Sequence, residues 1–100
     1  MARAPLPTSL EEIAERLRLS REALDFNITT MARLIGSPSS AWHNYEAGIR
    51  RISLDQALRL KRATGLTLEW IYTGDISSLP PHLGDKIRGQ ITKETKQSSR

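Results

Sequence analysis

The sequence predicts an all-α fold on three observations. Apolar residues recur at helical spacing, a residue able to cap a helix precedes each such run, and no segment alternates as a strand would. A chain of 100 residues fits one small domain. The first seven residues hold Pro5 and Pro7 and show no periodicity, so residues 1–7 read as a flexible arm.

Ser9 followed by Glu12 is a capping-box pattern, and it opens a helix expected to reach about Leu24. Leu10, Ile13, Ala14, Leu17 and Leu24 mark its inner face, and Glu11, Glu12, Glu15, Arg16 and Arg18 are expected on its outer one. Asn27 caps a short second helix, ITTMARLI, stopped by Gly36. Ser37 is expected to cap a third, with Pro38 at its first position, where a missing N–H costs nothing. That helix ends at Gly48. Ser53, with Gln56 three residues on, caps a fourth helix that stops at Gly65, and Thr67 begins a fifth that stops at Gly74. The domain is thus expected over 8–75. Residues 76–100 read as a polar, basic tail in which Leu79, Leu83, Ile87 and Ile91 permit one weak helix before disorder.

Composition narrows the function. There is no cysteine, so no disulfide framework and no thiolate metal site. His43 and His82 lie in different segments, which argues against a histidine metal site, and no cofactor is implied. No run approaches the roughly 18 apolar residues of a membrane span, and no hydrophobic stretch of a signal peptide follows the N-terminus, so a cytoplasmic protein is expected. Clustered carboxylates, a Gly-rich phosphate loop and a nucleophile motif are all missing, which leaves no enzyme class in view.

The net charge of +4 belongs to the ends, because residues 8–75 balance nine Lys/Arg against nine Asp/Glu. Within the body, Phe26 to Leu54 sets Arg33, Arg50 and Arg51 against Glu46 alone. A polyanion would meet least repulsion there.

On a helical wheel starting at Ser39, His43, Ala47, Ser40 and Asn44 fall between roughly 0° and 140°, whereas Ala41, Tyr45, Pro38 and Trp42 fall between roughly 200° and 300°. One face is built for burial. The other carries short hydrogen-bonding groups where a solvated face would prefer Glu, Lys or Arg. Such a surface suits the DNA major groove, which admits one helix and displays donors and acceptors; a polar surface with no partner is the alternative. Ala32, Gly36 and Trp42 supply a close helix crossing, a sharp turn and a wedge. That is the steric recipe of a helix-turn-helix.

The stretch NITTMARLIGSPSSAWHNYEAG, followed by RRISLDQALRLKRATGLTLEWIYTG, resembles the Cro/CI-type (XRE) helix-turn-helix domain from about Leu10 to Gly74. The resemblance implies a five-helix, lambda-repressor-like fold with residues 38–47 as recognition helix. It implies base reading by Ser39, Ser40, His43 and Asn44, and a brace between Arg21 and Glu46. Many members carry glutamine where this chain has Ile28, so phosphate contacts fall to Asn27, Thr29, Thr30, Arg33, Arg50 and Arg51. Asn44 is the best base reader, since an amide can pair two ways with adenine. Ser39 and Ser40 fit bases, phosphates or simply a first helical turn. Trp70 and Ile71 fit either core or a dimer surface.

The expected function is sequence-specific double-stranded DNA binding by a transcriptional regulator, a repressor acting by occupancy, with a homodimer as one form. The alternative is a protein-interaction module, such as an antitoxin or anti-repressor, with a protein partner bound through the tail stripe. RNA or single-strand binding is disfavoured because the aromatics point inward.

Overall fold

A computed structural model describes residues 6–98, so residues 1–5 of the expected arm and the last two residues of the tail lie outside the described residues. The chain runs α1 (Leu10–Ala23), α2 (Ile28–Leu34), α3 (Ser39–Glu46), α4 (Leu54–Thr64), α5 (Leu68–Thr73), a 3₁₀ turn (Ile76–Ser78) and α6 (Pro81–Ser98). Among the described residues there is no strand, and no helix is long and apolar enough to cross a membrane. α1 is the spine of the fold, packing against α3, α5 and α6.

Side-chain oxygens open four helices. Ser9, Asn27, Ser53 and Thr67 each accept from the backbone N–H three residues on. The third helix departs from expectation. Ser37 does not cap it; Pro38 is the N-cap, and no side-chain capping hydrogen bond is made there. The Ser37 hydroxyl instead accepts from Gln56 Nε2 at 2.8 Å, which ties the α2–α3 turn to α4.

One device closes the first three helices. In each, two N–H groups beyond the helix reach back to its last carbonyls, from Asp25 and Phe26, Gly36 and Ser37, and Gly48 and Ile49. This geometry needs a left-handed residue, and glycine supplies it at Gly36 (φ +67°). At the end of α1 the same position is held by Asp25 (φ 60°), at the steric cost an L-residue bears there.

Trp42, Leu17, Met31, Ile35, Leu60 and Ile71 are fully enclosed and join the helices in one core. Trp70 belongs to it too, which answers the question of a dimer surface: it is buried and its indole N–H donates to Ser20 Oγ at 2.8 Å. The Ser20 hydroxyl in turn donates to the Arg16 carbonyl at 2.7 Å, so this buried polar pair is satisfied. Ile28 packs on the same core.

The segment after residue 75 is not the loose tail that its composition suggested. Leu79, Leu83 and Ile87 are buried in the common core, and α6 stays helical through residues 92–98. A four-residue apolar spacing is weak evidence by itself, but here it finds the flank of α1. Arg18 reinforces the seam by donating to Glu94 Oε1 at 2.8 Å and Oε2 at 2.9 Å. The described part of the arm is fastened as well, since the Pro7 carbonyl accepts from Arg16, and next to it the Thr8 carbonyl accepts from Arg51.

Three outcomes follow for stability. Leu83→Ala should cost about 2–5 kcal/mol in denaturant melts, whereas a decorative tail would give under about 0.5 kcal/mol. Asp25→Gly should stabilise by about 0.5–1 kcal/mol in the same melts, by relieving the left-handed aspartate. The hydrogen bonds from Arg18, then Gln90, hold the Glu94 carboxyl down from 4.5 to about 2. A depressed carboxyl contributes stability above its unfolded pKa and loses it as pH falls through the folded one. The stability gap between the parent and Glu94→Gln should therefore be constant near neutrality and shrink between pH 4.5 and about 2 in urea melts.

Candidate nucleic-acid interface

The geometry begins at the α2–α3 crossing. Ala32 is buried beneath it, Gly36 makes the turn, and Trp42 is wholly enclosed. Trp42 and Tyr45 meet edge to face, with centroids 6.0 Å apart and planes at 78°, an arrangement worth about 0.5–1.5 kcal/mol beyond simple burial. Both rings point into the core, which turns the opposite face of α3 outward.

Glu46 locks that orientation. Its carboxylate receives Arg21 Nε at 2.6 Å, Arg21 Nη2 at 3.0 Å and the indole N–H of Trp42. Arg21 also donates to the Phe26 carbonyl at 3.1 Å, so one guanidinium joins α1, the loop after it and α3. Hydrogen bonding to Glu46 raises the Arg21 pKa, and the cation is retained at any ordinary pH. The Glu46 side chain is only 9% exposed. The sole carboxylate of α3 is thus turned inward and neutralised, leaving the outer face free of negative charge.

Four residues were expected to read bases. Ser39, Ser40 and His43 are exposed, and Asn44 is half-buried beside them. The side chain of Asn44 makes no hydrogen bond among the described residues. Its carbonyl, though, accepts from Ile49 N–H at 3.0 Å and Arg50 N–H at 3.2 Å. Asn44 therefore sets the start of the loop that carries Arg50.

The six expected phosphate contacts fare unequally. Arg33 and Arg50 are exposed and make no ion pair among the described residues. Arg51 is exposed too, but it is engaged with the Thr8 carbonyl. Asn27 spends its carbonyl oxygen on capping Thr30 N–H at 2.8 Å, which leaves only its amide hydrogens to donate. Thr29 is exposed and accepts from Ser39 Oγ at 3.4 Å, while Thr30 is half-buried.

Sequence reasoning passed over Arg59. It is exposed, without an ion pair among the described residues, and its Nη1 lies 3.5 Å from where a side chain on Gly36 would begin. It shares a face of α4 with Gln56, the residue that grips Ser37. Helical spacing from Gln56 was the available signal, but nothing local said that this face would meet the turn. No group of three or more His, Asp or Glu able to hold a metal occurs among the described residues.

A family model described as a helix-turn-helix domain matches residues 12–71, a span from early in α1 into α5 that leaves α6 outside. No curated protein and no solved structure matches the chain. The match covers more than half of the sequence and coincides with the packed α1–α5 unit, so the chain belongs to the helix-turn-helix domain family.

Proposed function

We propose that the protein is a Cro/CI-type, sequence-specific binder of double-stranded DNA that regulates transcription, acting as a cytoplasmic repressor by occupying its site. One observation carries this reading: α3 presents Ser39, Ser40 and His43 to solvent with Asn44 beside them, while Trp42 and Tyr45 lock its other face into the core. Short amides and hydroxyls on a rigid helix face that carries no carboxylate suit close approach to base edges in the major groove. Asn44 pairs with adenine through its free amide. The uncapped first turn of α3, the amide hydrogens of Asn27, and Thr29 and Thr30 face phosphate oxygens. Arg33, Arg50 and Arg59 supply the unpaired cations that replace condensed counterions, and Arg51 contributes where its bond to Thr8 is exchanged for one to phosphate. As a homodimer the protein would set two copies of α3 into grooves about 34 Å apart on a near-palindromic site. Leu79, Leu83 and Ile87 of the tail stripe are buried in the protein's own core, which leaves Ile91 as the stripe's exposed member for a protein partner.

Selection from random duplexes at fixed salt, followed by affinity measurements on the selected site, tests this. Asn44→Ala should cost about 1–3 kcal/mol and relax preference at one base step. Arg50→Ala should weaken selected and unrelated duplexes alike and reduce the salt slope by about 1. Equal losses on every sequence from both variants would remove Asn44 from base reading, and selection that enriches no site would overturn specific binding.

A further inference from the structure

An unbroken run of charged groups leads from α6 to α3. Glu94 on α6 receives two hydrogen bonds from Arg18, whose Nη1 also donates to Glu22 Oε2 at 3.0 Å. Gln90 Nε2 spans the same two carboxylates, at 2.9 Å from Glu94 Oε2 and 3.2 Å from Glu22 Oε1. Glu15 completes the shell of Arg18 at 2.6 and 3.1 Å. Glu22 Oε2 then lies 3.7 Å from Arg21 Nη2, and Arg21 is the cation that holds Glu46 and, through it, the indole of Trp42. Side-chain exposure falls from 28% at Glu94 and 36% at Glu22 to 17% at Arg21 and 9% at Glu46. The carboxylates of α6 and α1 are thus partly open to water, whereas the end under α3 is nearly closed.

We propose that Arg18 and Glu22, set by Glu94, are positioning residues for α3, and that α6 adjusts the recognition helix through the carboxylate of Glu22 shared between two arginines. Each ion in the run divides its attraction between two neighbours. Neutralising Glu94 lets Arg18 draw Glu22 closer, which loosens Glu22 from Arg21. Arg21 then commits more fully to Glu46, the group on which the Trp42 N–H also depends. Attraction within the run is screened least at its Arg21–Glu46 end, where the side chains are nearly closed to solvent. α6 lies beyond the residues matched by the family model. The inference rests on reading α3 as the DNA-contacting helix, but its primary test does not.

That test is the ¹H–¹⁵N spectrum of the full chain without DNA. The sequence has two tryptophans, and their indole N–H groups report separate sites: Trp42 on Glu46 and Trp70 on Ser20. Trp70→Phe assigns the signals. Glu94→Gln and Glu22→Gln should each move the Trp42 signal and leave that of Trp70 in place. Glu94→Gln should add nothing once Glu22→Gln is present, because the path runs through Glu22. Arg88→Gln, which removes a 3.8 Å pair with Asp85 on the same helix, should move neither signal. A Trp42 signal unmoved by Glu22→Gln overturns the proposal, and that arm decides alone if Glu94→Gln does not fold. A Trp42 shift that persists in the Glu22→Gln background, or an equal shift at Trp70, overturns it as well. On a selected duplex, Glu94→Gln should change affinity several-fold with an unchanged salt slope, since no phosphate contact is removed. Unaltered affinity beside a moved Trp42 signal overturns the link to the DNA-facing side. A parent chain that binds no duplex overturns the proposed function instead and leaves the Trp42 result standing.

Discussion

Everything on the outer face of α3 depends on the carboxylate of Glu46. Three donors from Arg21 and Trp42 converge on it in a nearly closed site. Removing one partner of such a pair strands the other without water, so the cluster tolerates little change. Its main contribution is geometric. A short helix packed by two rings alone could roll about its axis, and a second anchor at its C-terminal end prevents that. With roll prevented, Ser39, Ser40, His43 and Asn44 occupy a fixed sector of the surface.

Six of the arginines fall into two sets by what surrounds them. Arg16, Arg18 and Arg21 sit on one helix, partly or fully enclosed, each satisfied by carbonyls or carboxylates. Arg16 joins α1 to α5 and to the arm, Arg18 joins it to α6, and Arg21 joins it to α3. Arg33, Arg50 and Arg59 extend into solvent without an ion pair among the described residues. Guanidinium geometry suits both tasks, since its planar fork bonds two oxygens whether they belong to glutamate or to phosphate. An account based on net charge would count these residues together and miss the distinction.

How much was legible in the sequence follows from the range of each interaction. Helix starts at Ser9, Asn27, Ser53 and Thr67 were readable because a cap and the N–H that donates to it lie three residues apart. The inward set of Trp42 and Tyr45 was readable from helical periodicity alone. Ser37 satisfied the same local rule and yet went elsewhere, because Gln56, nineteen positions along, offered it a partner. Asp25 gave no warning, since glycine is the usual residue at that position. The C-terminal segment was underestimated for a related reason. Its apolar stripe is sparse, and Arg18 and Glu94 are separated by 76 positions, beyond the reach of any local pattern. Arg59 was passed over on the same grounds.

The most direct measurement is a chemical-shift map of the full chain titrated with its selected duplex. Shifts and line broadening concentrated at Ser39, Ser40, His43 and Asn44, with weaker effects at Arg33 and Arg50, are the predicted result. A map centred on α5 or α6, with those four residues unmoved, would contradict the assignment of α3 as the reading helix.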